Sequence, residues 1–142
     1  MTTKRIAIVL VDEFADWELG LFAAAARVWL GARIDHYTPG GRVVRSMGGL
    51  SVTPEAALES LAVDDFDALA VIGSSVWETE AAPDVGPVIR AALSAGRPVG
   101  AICGGTLAAA RAGALEGRRH TSNAADYVRD HVPDYDGTLY VE

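Results

Sequence analysis

Three uninterrupted apolar runs constrain this chain more than anything else in it. Ile6–Val11 reads IAIVLV, Asp67–Gly73 reads DALAVIG, and Pro98–Cys103 reads PVGAIC. A strand with one face in water alternates apolar and polar residues. A run with almost no polar member is buried on both faces, as central parallel strands are. Helical spacing fills the gaps between the runs. Residues 17–30, WELGLFAAAARVWL, put Trp17, Leu21, Ala24, Ala25, Val28 and Trp29 on one apolar stripe, and Gly31 supplies a stop. Pro83 to Ala95, the alanine-rich Thr106 to Leu115 and Ala124 to Val132 read as further helices. Between these lie a short strand over Ala32 to Tyr37 and two short strands folded around Gly48-Gly49. A short helix over Pro54 to Leu61 and a short strand over Arg118 to Thr121 complete the pattern. Strands alternating with helices require a parallel sheet covered on both faces. The sequence therefore predicts one α/β domain over residues 1–142, doubly wound and flavodoxin-like.

Charge and composition narrow the partners. The chain has 142 residues, half of them hydrophobic, and a formal net charge of −7. A phosphate backbone is bound by a basic footprint, which this composition does not supply, so no nucleic-acid partner is expected. The apolar run after Lys4-Arg5 is shorter than a secretory core and ends at Asp12-Glu13. No stretch approaches the roughly 18 apolar residues of a membrane span, so no membrane partner is expected. The chain has a single cysteine, which cannot form an internal disulfide and suits a reducing, cytoplasmic setting.

In doubly wound sheets the working site lies at the carboxyl ends of the strands. Three such ends matter here: "VDEFADWE", "IGSSVWE" and "ICGGT". The last holds the one cysteine. A nucleophile elbow needs small residues two positions before and two after the nucleophile, because the turn crowds both. Ala101 and Gly105 stand at those offsets from Cys103. The helix that follows is expected to turn its free amides toward the sulfur, with the Gly104 amide placed for an oxyanion. The competing reading is a small inert core cysteine.

The first strand end carries Asp12, Glu13, Asp16 and Glu18. Acids suit the first turn of a helix, and they repel phosphate, so a flavin or nucleotide cofactor is not expected there. No glycine-rich phosphate motif occurs elsewhere. His36, His120 and His131 have no ligand spacing, so no metal is expected either.

Taken together, "AICGGT", "DEFADWEL", the glycine after "ALAVI" and the later "RRHTSN" resemble the PfpI superfamily. That group holds intracellular proteases and amidases, the parkinsonism-associated deglycase and related stress proteins, on the class I glutamine amidotransferase-like fold. The resemblance implies that Cys103 is the reactive cysteine and that Glu18 is the carboxyl hydrogen-bonded to it. Gly73 and Ser74 match the pair whose amide forms an oxyanion site with that of Gly104. His120 resembles the histidine near the cysteine in several branches. Trp77, in the loop after Ser74, is expected to line the pocket. Proteolytic members have histidine directly after the cysteine; Gly104 stands there instead, which argues against peptidase activity.

A carboxylate beside a thiolate repels it, so Glu18 is expected to hold the proton while the sulfur is ionised, the two titrating as a pair. The activity implied by the resemblance is glyoxalase- or deglycase-like attack of Cys103 on a small reactive carbonyl, in a stress response. A redox sensor or chaperone-like protein that oxidises Cys103, and a small amidase or hydrolase, are the alternatives. A homodimer with the first helix near the interface is implied as well. The resemblance further implies that the fold continues past "GTLYVE" with another strand and a final helix. The expectation is therefore that this stretch belongs to a longer chain, or that another subunit covers the bared surface.

Overall fold

The computed structural model describes residues 3–142. Its centre is a parallel sheet built by β1 (Arg5–Val9), β2 (Arg33–Thr38), β5 (Ala56–Ala57), β6 (Ala68–Val71) and β7 (Val99–Ala101), in the order β5-β2-β1-β6-β7. A separate antiparallel pair, β3 (Val44–Arg45) and β4 (Ser51–Val52), folds around Gly48-Gly49 as expected. The helices are α1 (Asp16–Leu30), α2 (Gly86–Ser94), α3 (Gly105–Arg111) and α4 (Ala125–His131).

Alternation along β1 and β6 creates two cores. Ala7, Val9, Leu69 and Val71 point to one face, where Ile89 and Ala92 of α2, Leu107 and Ala108 of α3 and Val128 of α4 cover them. Ile8, Leu10, Ala70 and Ile72 point to the other, against Leu19, Phe22 and Ala23 of α1 and Val44 of the hairpin. Both faces of the central strands are dry, which is why their sequences carry no polar alternation. The fold is α/β and flavodoxin-like, with helices on both faces. The strand order reverses between β1 and β6, so the crevice at their carboxyl ends is the switch point of the sheet.

Two elements depart from expectation. Pro54 to Leu61 is not a helix: Ala56 and Ala57 pair with Tyr37 and Thr38 as an edge strand, and only Leu58–Ser60 makes a 3-10 turn. Sheet pairing outweighs the weak helical preference of so short a segment. The stretch at Arg118 to Thr121 contributes a single bridge, His120 to Tyr140, rather than a strand.

Candidate functional site

The chain leaves β7 and turns into α3 at Cys103, whose φ of 51° lies in the left-handed region. A side chain there is strained, at a cost of roughly 1–3 kcal/mol, and surrounding contacts must hold it. The Thr106 amide and hydroxyl do so, both donating to the Cys103 carbonyl at 3.0 and 2.6 Å. The two glycines answer to close approach. A Cβ at Gly105 would stand 2.6 Å from the Val71 carbonyl oxygen, and one at Gly104 would stand 2.7 Å from that of Ser74. Small residues after the cysteine let the turn nestle onto the end of β6, and the thiol is left exposed.

Glu18, on the first turns of α1, reaches across to the same place. Its Oε2 accepts the Gly73 amide at 2.7 Å. A Cβ on Gly73 would fall 2.7 and 2.8 Å from the two carboxyl oxygens and 3.0 Å from Cys103 Cβ. The glycine therefore lets carboxyl and cysteine meet across it. The expected Glu18–sulfur hydrogen bond is not formed among the described residues; the carboxyl is satisfied by the backbone instead. That bond also removes the Gly73 amide from any oxyanion role. The Ser74 and Gly104 amides have no hydrogen-bond partner among the described residues and remain available. Ser74 keeps its hydroxyl out of the site, donating it to the Asp12 carbonyl at 2.6 Å.

The expected helix-end effect is weaker than its sequence suggested. α3 has seven residues, and its leading amides are consumed in the turn. Gly105, Thr106 and Leu107 donate to the carbonyls of Ile102, Cys103 and Gly104. The polar group that does reach the sulfur is one the sequence reading missed: Asn123 Nδ2 donates to Cys103 Sγ at 3.4 Å. It lies in the "RRHTSN" stretch just before α4, where His120 drew attention instead. His120 is engaged elsewhere. Nδ1 pairs with the Arg118 carbonyl at 2.7 Å and Nε2 with the Tyr135 hydroxyl at 2.6 Å, and the ring packs edge-on against Tyr135 and Tyr140.

Trp77 requires a correction as well. Its side chain is 0 % exposed and donates Nε1 to the Ile72 carbonyl at 2.8 Å, so the ring packs in the core, and the cavity it borders, with Glu78, Asp84 and Arg111, does not include Cys103. A large aromatic in a short loop beside a buried strand finds its best cover underneath the sheet end. Tyr127 stands nearer the elbow: its hydroxyl is 3.4 Å from where a Gly104 Cβ would sit and donates to Glu78 at 2.9 Å. Burial, then the Glu78 bond and charge, hold that hydroxyl far above the ordinary tyrosine range. Among the described residues no group of three His, Cys, Asp or Glu is placed to hold a metal ion.

The chain and its fold have counterparts in known proteins. A model of the DJ-1/PfpI family matches residues 4–142. The chain belongs to the DJ-1/PfpI family. It is 29% identical over 149 residues to the uncharacterized protease YoaZ of Bacillus subtilis, the match covering 100% of this chain and 71% of that protein. To the uncharacterized protease YdeA of the same organism it is 28% identical over 131 residues, covering 90% of this chain and 64% of the relative. Among solved structures, the DJ-1 superfamily protein Atu0886 of Agrobacterium tumefaciens superposes with a TM-score of 0.91 at 41% identity, over 99% of this chain and 74% of its own. The thiJ/pfpI family protein of Bacillus anthracis gives 0.84 at 28% identity, over 99% and 70%. This DJ-1/PfpI chain thus spans about two thirds to three quarters of the length of these four relatives.

Within that family frame, Gly104 is informative. Placing any side chain directly after the cysteine would drive its Cβ into the Ser74 carbonyl, so an adjacent Cys-His pair does not fit this backbone.

Proposed function

We propose that this DJ-1/PfpI chain uses Cys103 as a thiolate nucleophile toward small reactive carbonyls, in the manner of a glyoxalase or deglycase. Family membership supports a stress-response type of protein. The observation that carries the finer reading is the exposed thiol held at positive φ over the Glu18 carboxyl. With a 2-oxoaldehyde, Sγ bonds to the aldehyde carbon while the carbonyl electron pair moves to oxygen. The Ser74 and Gly104 amides, without partners among the described residues, are the backbone donors left at the turn to receive that charge. Protonation of the oxygen gives a hemithioacetal. Glu18, whose carboxyl meets Cys103 across Gly73, acts as base and acid, moving a proton from that carbon to its neighbour. The aldehyde carbon is oxidised to a thioester as the ketone carbon is reduced to an alcohol. Water then releases a 2-hydroxy acid and the thiolate, and no outside oxidant or reductant is needed.

The reading is tested by incubating methylglyoxal with wild-type and Cys103→Ser protein. Wild type is expected to consume it and the variant to fall to the background rate. Equal consumption, or none by either, overturns it. A second reading is favoured by the exposure of a cysteine with no second thiol in the chain to resolve a sulfenic acid. It predicts sulfinate at Cys103 after dilute peroxide with methylglyoxal left untouched.

We further infer that the protein works in the cytoplasm, where a lone thiol stays reduced, as a homodimer joined through α1. Trp17, Leu21, Val28 and Trp29 on that helix are 64%, 72%, 76% and 76% exposed and supply the apolar surface for it. No helix among the described residues is long and apolar enough to cross a membrane.

A further inference from the structure

We propose that Asn123 holds the reacting sulfur with a donor that never gives up its proton, so that this site runs without an imidazole. The inference rests on the reading of Cys103 as the reactive thiol and adds to it the group that sets the sulfur's ionisation. Among the described residues, the one side-chain hydrogen bond to Cys103 Sγ comes from Asn123 Nδ2, at 3.4 Å. A thiolate needs a donor, and a carboxamide offers one at its nitrogen end with no titration across the working pH range. A donor to an ionised acceptor is worth about twice a neutral pair, so this contact favours the thiolate over the thiol.

Asn123 is exposed, but the segment that carries it is tied down on both sides. Its neighbour Ser122 is bound to the elbow itself: Ser122 Oγ lies 2.5 Å from Thr106 Oγ1, whose own proton goes to the Cys103 carbonyl, so Ser122 is the donor of that pair. The Ser122 carbonyl accepts the Tyr140 hydroxyl at 3.0 Å. Two residues earlier, His120 exchanges backbone bonds with residues 139 and 141 at 3.2 and 2.8 Å, and its Nε2 pairs with Tyr135. The segment that presents the carboxamide is therefore pinned from the elbow on one side and from residues 135–141 on the other. His120, expected at the sulfur, is one of the pins. The position next to the sulfur is filled by a group that can bond it but cannot take its proton. Together with a Gly104 that admits no side chain, this leaves Glu18 as the nearby proton carrier.

Native alkylation by iodoacetamide, followed across pH, tests this. In wild type the rate is expected to rise through a single inflection with none added by a histidine. Asn123→Ala should move that inflection upward enough to slow alkylation about tenfold on its acid side. Asn123→Asp, which keeps the shape but replaces the donor with a charge, should move it further. Asn123→His should restore a donor and introduce a second inflection near ~6.5, which a purely structural role does not predict. Circular dichroism and gel filtration of each variant establish that it is folded. Folded Asn123→Ala with an unchanged inflection overturns the proposal. The methylglyoxal result for Cys103→Ser decides the underlying reading separately. An active wild type with an insensitive Asn123→Ala would sink this inference alone.

Discussion

Two glycines at the site make opposite demands, and they separate stability from function. At Gly104 an added Cβ meets the Ser74 carbonyl at 2.7 Å, a backbone atom that cannot swing aside. Gly104→Ala is therefore expected to destabilise the fold by about 1–3 kcal/mol, as overpacking does, read as a lower denaturation midpoint. At Gly73 the nearest atoms are the Glu18 carboxyl oxygens, the far end of a flexible side chain, with Cys103 Cβ at 3.0 Å. Gly73→Ala is expected to push Glu18 off the Gly73 amide. It should lower methylglyoxal turnover well beyond any change in the midpoint. Equal losses of stability in the two variants, with turnover unaffected at Gly73, would contradict this division. At this scale strand-end position and elbow spacing, which are local patterns, single out Cys103 and Gly104, whereas Glu18, Gly73 and Ser74 were legible only through the family resemblance. The fold gathers the five at one turn with the Glu18–sulfur bond unformed. The sequence reading missed Asn123 because nothing local marks a carboxamide as a sulfur ligand. It misplaced Trp77 because a loop position says little about which way a large side chain turns.

At the scale of elements, the central strands and the four α-helices lie where periodicity puts them, because burial on both faces leaves an unmistakable record. The first helix shows the limit of that record. WELGLFAAAARVWL is apolar on more than one side, and the buried face turns out to be Leu19, Phe22, Ala23 and Ala26 rather than the tryptophan stripe. Its orientation is set by a tether that spacing cannot reveal. Asp16 at its start accepts the Ser46 hydroxyl and the Gly48 amide at 2.8 Å, tying α1 to the β3–β4 hairpin. The Ser46 bond holds the Asp16 carboxyl below the ordinary range against an opposing effect of burial, with a smaller lowering contribution from the Gly48 amide bond. A carboxyl whose folded value is depressed contributes stability above its unfolded value, and that contribution is lost as pH falls through the folded one. The tether is thus expected to hold at neutral pH and to weaken below about pH 4. Asp16→Asn should lower stability at pH 7 and flatten the acid limb of the denaturation midpoint against pH. An acid limb identical in wild type and variant would show that Asp16 carries none of it.

For the molecule as a whole, the surface that the tether creates matters more than the core. With Leu19 and Phe22 turned inward, α1 shows Trp17, Leu21, Val28 and Trp29 to the outside. The hairpin turn held beside its first residues adds Met47 and Leu50, 46% and 62% exposed. Isolated exposed hydrophobics are ordinary, but six on two tethered elements form a patch of the kind that marks an interaction site. Fully burying a large apolar side chain is worth about 1.5–3 kcal/mol. A two-fold arrangement would count each of them twice, because the same patch lies on both partners. That gain is large enough to offset the loss of translational and rotational freedom on association, about 4–15 kcal/mol. The net charge of −7 opposes association only through screened repulsion. The homodimer we infer should therefore appear in sedimentation as twice the chain mass at micromolar concentration. Trp17→Glu with Trp29→Glu should convert it to monomer, and added salt should not. Both substitutions lie on the outer face of α1, so the native far-ultraviolet spectrum is expected to persist. A wild-type protein that sediments as a monomer would remove the α1 surface as a self-association face.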